Sequence, residues 1–224
     1  MKKYLMGILV SMIAFAVNAQ KVVEKQISLN PTSSLDLKLE FADTIQVKQS
    51  KDNTLRITAT VNINDNQHND KYELITSVES GFVEIKAKIH DMESIRVPCK
   101  NHQGSNYESH DGKCVTMDIS YMIEVPAIAD LHLKTINGNI IIDHALSTMS
   151  IESISGFIDL TVPVTSNLNF NLKTITGGIY TNPELHINMD NYKGNPGGNE
   201  AQFKTGTGGN KVKLSTISND IFVR

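Results

Sequence analysis

Five residues in one short stretch have the types and spacing for metal chemistry: Cys99, His102, His110, Asp111 and Cys114. Thiolate and imidazole are ligands that zinc prefers, and a Cys-x2-His-x7-His-x3-Cys run supplies four of them. These two cysteines are also the only ones in the chain. In an exported protein an even pair predicts a disulfide, which removes both thiolates from any metal set. The expectation is therefore a Cys99–Cys114 bridge, with Cys99, His102, His110 and Cys114 as the alternative zinc set. His68, His90, His132, His144 and His186 are scattered and read as surface residues.

Polysaccharide hydrolysis needs carboxylates that converge on one face. Asp143 and Asp159 are the candidates, but they occupy different places in the repeat described below and do not stack. No Gly-x-Ser-x-Gly elbow is present. Gly206-Thr207-Gly208-Gly209 precedes a strand, with neither the Lys-Ser/Thr nor the helix of a phosphate-binding loop. These residues predict no enzyme and no cofactor, and leave a polysaccharide-active β-helix enzyme as the alternative. Three aromatic residues, Phe157, Tyr180 and Phe222, fall where outward polar residues are expected. They predict either a contact stripe for a protein or glycan partner or packing beneath residues 183–199.

The elements that must position these residues come from a phrase that returns four times: Thr135–Ile140, Ser153–Ile158, Thr174–Ile179 and Thr216–Ile221. Position zero of each copy is Gly138, Gly156, Gly177 or Asn219. Position −2 is Ile136, Ile154, Ile175 or Ile217, and position +2 is Ile140, Ile158, Ile179 or Ile221. Positions −5 and −7 are also apolar, and position −3 is always Ser or Thr. Period-two alternation marks strands with one buried face. A parity change between −5 and −2 predicts a bend there, with both sets of isoleucines buried. Gly or Asn at zero predicts a tight corner at positive φ.

Repeats at a near-fixed period predict stacked units, hence an all-β solenoid, with a β-sandwich as the alternative. The last interval is twice the one before it. It contains Asn191-Tyr-Lys-Gly-Asn-Pro-Gly-Gly-Asn199, which reads as a loop within either a degenerate coil or a surface excursion. Upstream, strands are predicted over 22–29, 35–41, 44–49, 55–63, 72–78, 82–89 and 117–125. A polar excursion at about 90–116 carries both cysteines. Residues 41–47 look like a worn copy of the phrase.

The 224 residues allow a sizeable core, and the net charge is −3 with 20% charged residues. Neither nucleic acid nor an anionic membrane surface is an expected partner, because both attract basic clusters. Lys2 and Lys3 followed by the apolar run Leu5–Val17 predict a signal peptide over 1–19, with Gln20 as the mature start. That places a single domain at 20–224, exported to the periplasm or cell surface, with no membrane span in the mature chain.

The stretches Tyr121–Pro126, Leu131–Ile140 and Val212–Arg224 resemble a bacterial exported adhesin-like family with a GIN-type head domain. The likeness runs from about residue 35 to residue 224. It implies a right-handed β-solenoid or β-helix-like fold, a binding or structural role in the cell envelope, and no catalytic residues. The Cys99–Cys114 excursion, and Asn219 where Gly is usual, depart from that pattern.

Overall fold

The computed structural model describes residues 20–30, 33–99, 107–110, 112–146, 148–195 and 197–224. The chain begins with β1 (Lys21–Ser28), β2 (Ser34–Lys38), β3 (Thr44–Gln49) and β4 (Thr54–Ile63). A hairpin of β5 (Tyr72–Glu79) and β6 (Phe82–Ile89) follows, then short β7 (Val97–Pro98) and β8 (Tyr107–His110). Next come β9 (Lys113–Val125), β10 (Asp130–Asn137), β11 (Asn139–Ile142), β12 (Met149–Ser155) and β13 (Ile158–Leu160). The chain ends with β14 (Leu168–Thr174), β15 (Ile179–Thr181), β16 (Asn188–Asn195), β17 (Gly198–Thr205), β18 (Asn210–Ser218) and β19 (Ile221–Val223).

Two mixed sheets result. The first runs β1-β4-β9-β3-β11-β13-β19-β15, with β7 and β8 also on β9; the second runs β16-β17-β14-β18-β12-β10-β2-β6-β5. Among the described residues the fold is all-β, built on these two mixed sheets. Inward residues of both sheets join one apolar cluster that includes Leu133, Ile151 and Leu214 of the second sheet and Ile140, Ile158 and Ile221 of the first. Each such side chain contributes roughly 1.5–3 kcal/mol on leaving water.

Each repeat phrase is a strand of the second sheet, a corner, and a strand of the first: β10 to β11, β12 to β13, β14 to β15 and β18 to β19. The worn copy is β2 to β3. Neighbouring units pair in parallel and in register, so Leu133 lies beside Ile151, Ile151 beside Leu214, and Leu214 beside Leu172. Spatial order does not follow chain order, however. β18 sits between β12 and β14, and β19 between β13 and β15. A consecutive coil would place the last unit at the end of the stack, whereas here it lies inside it. The doubled interval is the cause. β16 and β17 form an antiparallel hairpin outside β14, and β18 then returns to the slot left beside β12. Residues 191–199, read as a loop, lie largely in that hairpin.

The isoleucines divide into two sets. Those at +2 face inward: Ile140, Ile158 and Ile221 are fully buried and Ile179 is half-buried. Those at −2 face water, against expectation. Alternation is unbroken through −7, −5 and −3, because the buried −3 position is taken by Thr135, Ser153, Thr174 or Thr216. The parity change falls at the corner itself, which leaves −2 on the outer face.

The −3 hydroxyls tie the corners together. Thr174 Oγ1 donates to the Asn219 carbonyl at 2.8 Å, Thr216 Oγ1 to the Gly156 carbonyl at 3.2 Å, and Thr135 Oγ1 to the Asn137 carbonyl. Gly156 has φ +134°, and a Cβ there would overlap the Gly138 carbonyl of the neighbouring unit. Gly177 is different. It is not at positive φ, and its hydrogen is needed because the Asn219 carbonyl packs against its Cα. The corners stack backbone on backbone.

Candidate functional site

The isoleucines at −2, expected to be buried, instead floor an open groove. Thr135 lies opposite Ser153 and Asn137 opposite Ser155, which sets Ile136 beside Ile154. The same logic sets Ile217 beside Ile154 and Ile175 beside Ile217. Across the outer face of the second sheet the spatial order is therefore Ile136, Ile154, Ile217, Ile175, at a strand spacing of about 4.8 Å. Exposure runs from 38% at Ile136 to 47% at Ile154. The groove they floor has a volume of about 460 Å³. The signal was present in the sequence: an invariant hydroxyl at −3 continues the −7/−5 alternation and forces −2 outward.

Two residues before each of Ile136, Ile154 and Ile175 stands a charge: Lys134, Glu152 and Lys173 line the groove beside them. Glu152 is held by two cations, Lys134 Nζ at 3.3 Å and Lys213 Nζ at 3.4 Å. Partial burial works against its charge, but the two ammonium groups prevail and hold its carboxyl below the usual range. Further along the same face Lys38 bridges Glu84 at 2.6 Å and Asp36 at 3.0 Å, and Lys86 reaches Glu84 at 2.9 Å. Hydrogen bonds from Lys38 and Lys86 depress the Glu84 carboxyl, and Glu84 and Asp36 raise the Lys38 ammonium. The lysines and carboxylates of this face thus largely neutralise one another.

The predicted aromatic residues do come together on the first sheet. The rings of Tyr180 and Phe222 stack at 5.2 Å and 16°, and Phe157 meets Phe222 edge-on at 6.2 Å. Parallel pairing of β15 with β19 places Tyr180 directly beside Phe222. Arg224 lies over the Phe222 ring at 5.1 Å and pairs with Asp159 at 2.9 Å. Tyr180 is 54% exposed, so it is a surface ring and not one packed beneath residues 183–199. Its ring leans over Gly178, where a Cβ would meet it at 2.7 Å.

Cys99 and Cys114 are bridged, with Cα atoms 5.1 Å apart. The bridge occupies both sulfurs that the zinc alternative requires. His102 and Asp111 lie outside the described residues, and His110 is placed only as the β8 residue opposite Lys113. Asp143 and Asp159 are not brought together: Asp159 aligns with Ile141. Asp143 sits 3.9 Å from Lys48, and Asp159 pairs with Arg224 as above. No pair of facing carboxylates arises from these two residues.

No family model matches the chain. No curated protein matches it either. Among solved structures it is similar to a "putative cell adhesion protein" of Clostridium sporogenes, at 11% identity and a TM-score of 0.47, covering 91% of this chain and 98% of that one. It is similar also to a "putative adhesin" of Bacteroides fragilis, at 10% identity and a TM-score of 0.30, covering 92% and 99%. A "putative adhesin" of Parabacteroides merdae aligns at 10% identity and a TM-score of 0.25, over 63% and 52%. All three scores fall below 0.5, too distant for a fold or a function to be carried across.

Proposed function

We propose that the chain is an exported, non-enzymatic module of the cell envelope or surface, binding a protein or glycan partner in the manner of an adhesin. In this reading residues 20–224 act as one domain, and the strand–corner–strand units correspond to turns of a solenoid-like stack. The single core cluster supports the one-domain reading. The Cys99–Cys114 disulfide supports export, because such bridges persist in oxidising compartments.

The observation that carries the binding role is the row Phe157, Phe222 and Tyr180. A ring as exposed as Tyr180, pre-ordered by stacking on Phe222 and by its seat over Gly178, loses little freedom on engaging a partner. Aromatic and Arg side chains are the types that dominate contact energies, and Arg224 stands at the same place. The test is binding of the chain from Gln20 to envelope fractions and glycan panels, with Tyr180→Ser/Phe222→Ser alongside. Loss of binding by at least ~10-fold in the double variant is expected, equivalent to about 1.4 kcal/mol. Unchanged binding would overturn the role of the row. Release of reducing ends from any glycan by the purified protein would overturn the non-enzymatic reading.

A further inference from the structure

The isoleucine row on the second sheet is separate from the aromatic row, and its chemistry selects a different occupant. All four repeat copies carry Ile at a position that faces water. The strands beneath the row, β10, β12, β18 and β14, are each paired on both sides, so their backbones have no hydrogen-bonding groups to spare. A peptide or a sugar laid along the row would press its own polar groups against methyls and lose their water. An alkyl chain has no such groups to lose. Nor has it a pitch to match: the row advances about 4.8 Å per residue, whereas an extended peptide presents same-side residues about every 6.6 Å. The lysine stems beside the row add further methylenes to the groove. From Ile136 to Ile175 the row covers three strand spacings, about 14 Å. The groove volume of about 460 Å³ lies in the range of small-molecule sites.

Charge tells the two ends of the groove apart. Lys38 is engaged by Asp36 and Glu84, and Lys134 by Glu152. Lys173 also lines the groove, at the β14 end, and among the described residues it makes no ion pair or hydrogen bond. Glu200 stands opposite it on β17 but accepts from Gln202 Nε2, at 3.2 Å. At the β2 end, next to Ile136, stands Glu40, whose carboxylate makes no ion pair among the described residues. One end of the groove therefore offers an unneutralised ammonium, and the other an unneutralised carboxylate. We infer that the groove binds a free single-chain anionic amphiphile of the fatty-acid type, its alkyl chain along Ile175, Ile217, Ile154 and Ile136 and its carboxylate at Lys173. The opposite orientation would set that carboxylate against Glu40.

The test is calorimetric titration of the chain from Gln20 with two probes. One is sodium dodecanoate, kept below its micelle concentration; the other is dodecyltrimethylammonium, with the same chain and the opposite charge. One dodecanoate per protein chain is expected, bound at least ~3-fold more tightly than the cation, the scale of an exposed charge contact. Lys173→Glu should reverse that preference. Ile154→Thr/Ile217→Thr keeps the β-branched shape that strands favour. It should weaken binding of both probes by at least ~5-fold through lost apolar contact. Both positions are exposed, so unchanged melting temperatures are expected. Absence of saturable dodecanoate binding would overturn the inference. So would equal affinity for the two head groups, or binding that survives the threonine variant. Adsorption to phospholipid vesicles without binding of the free acid would assign the row to a bilayer and overturn it too. The Tyr180→Ser/Phe222→Ser variant should bind dodecanoate like the native chain, so failure of the aromatic row leaves this site standing.

Discussion

At position 156 a backbone, not a side chain, is the neighbour that matters. The Gly138 carbonyl lies where a Cβ would be, and φ is +134°. Gly156→Ala therefore meets two penalties, the left-handed backbone and the overlap. The first alone costs about 1–2 kcal/mol. Urea unfolding should show a loss at least that large, and an unchanged midpoint would remove the corner from the account. The same residue shows how far the sequence could be read. Gly or Asn at zero announced the corner, and the φ values of Gly138, Gly156 and Asn219 agree. Gly177 follows a different rule, close approach of a carbonyl, which spacing alone does not encode.

At the scale of the element, strands were legible because alternation is a local property. Their outer face was misread at one column. The eye follows isoleucine as a core residue, but parity is set by what occupies the places on either side. Thr135, Ser153, Thr174 and Thr216 are polar and nonetheless buried, since each hydroxyl except that of Ser153 has a carbonyl to bond. The disulfide was legible from cysteine count and compartment, and the aromatic row from outward parity.

The charged columns on that outer face give the element-scale prediction. The Glu84 and Glu152 carboxyls are depressed below their ordinary values. A group whose folded value is lowered contributes stability above its unfolded value, and that contribution is lost as pH falls through the folded one. Melting temperature should therefore decline between about pH 5 and about pH 3. In Glu152→Gln the decline should be shallower, with a lower plateau at neutral pH. An identical pH profile in the variant would show that the lysines around Glu152 do not matter to folding. The effect should be small, because these pairs lie on the outer face of the sheet, where water screens them.

At the scale of the whole molecule, strand order was not legible. Which unit lies beside which is decided by long-range pairing, and the repeat phrase is nearly the same in each copy. Any copy could in principle pair with any other in register. What distinguishes them is covalent. The β16–β17 hairpin occupies the outside of β14, and Phe170 stacks on Phe203 there at 4.7 Å. That leaves β18 only the slot beside β12. Removal of residues 207–224 should accordingly abolish cooperative unfolding rather than merely lower its midpoint. Calorimetry of the truncated chain would check this; a sharp transition near that of the full chain would mean the halves join without β18 and β19.

A keystone that follows in sequence every strand it joins has a consequence for biogenesis. During synthesis from the amino terminus, every earlier strand emerges while the gap between β12 and β14 is still open. Until Ile221 and Val223 are released, two hydrogen-bonding rims face each other with nothing between them, each able to capture a stray strand from another chain. Completion of both sheets thus waits on residues 210–224, and protection of the open cleft falls to whatever holds the nascent chain until they appear.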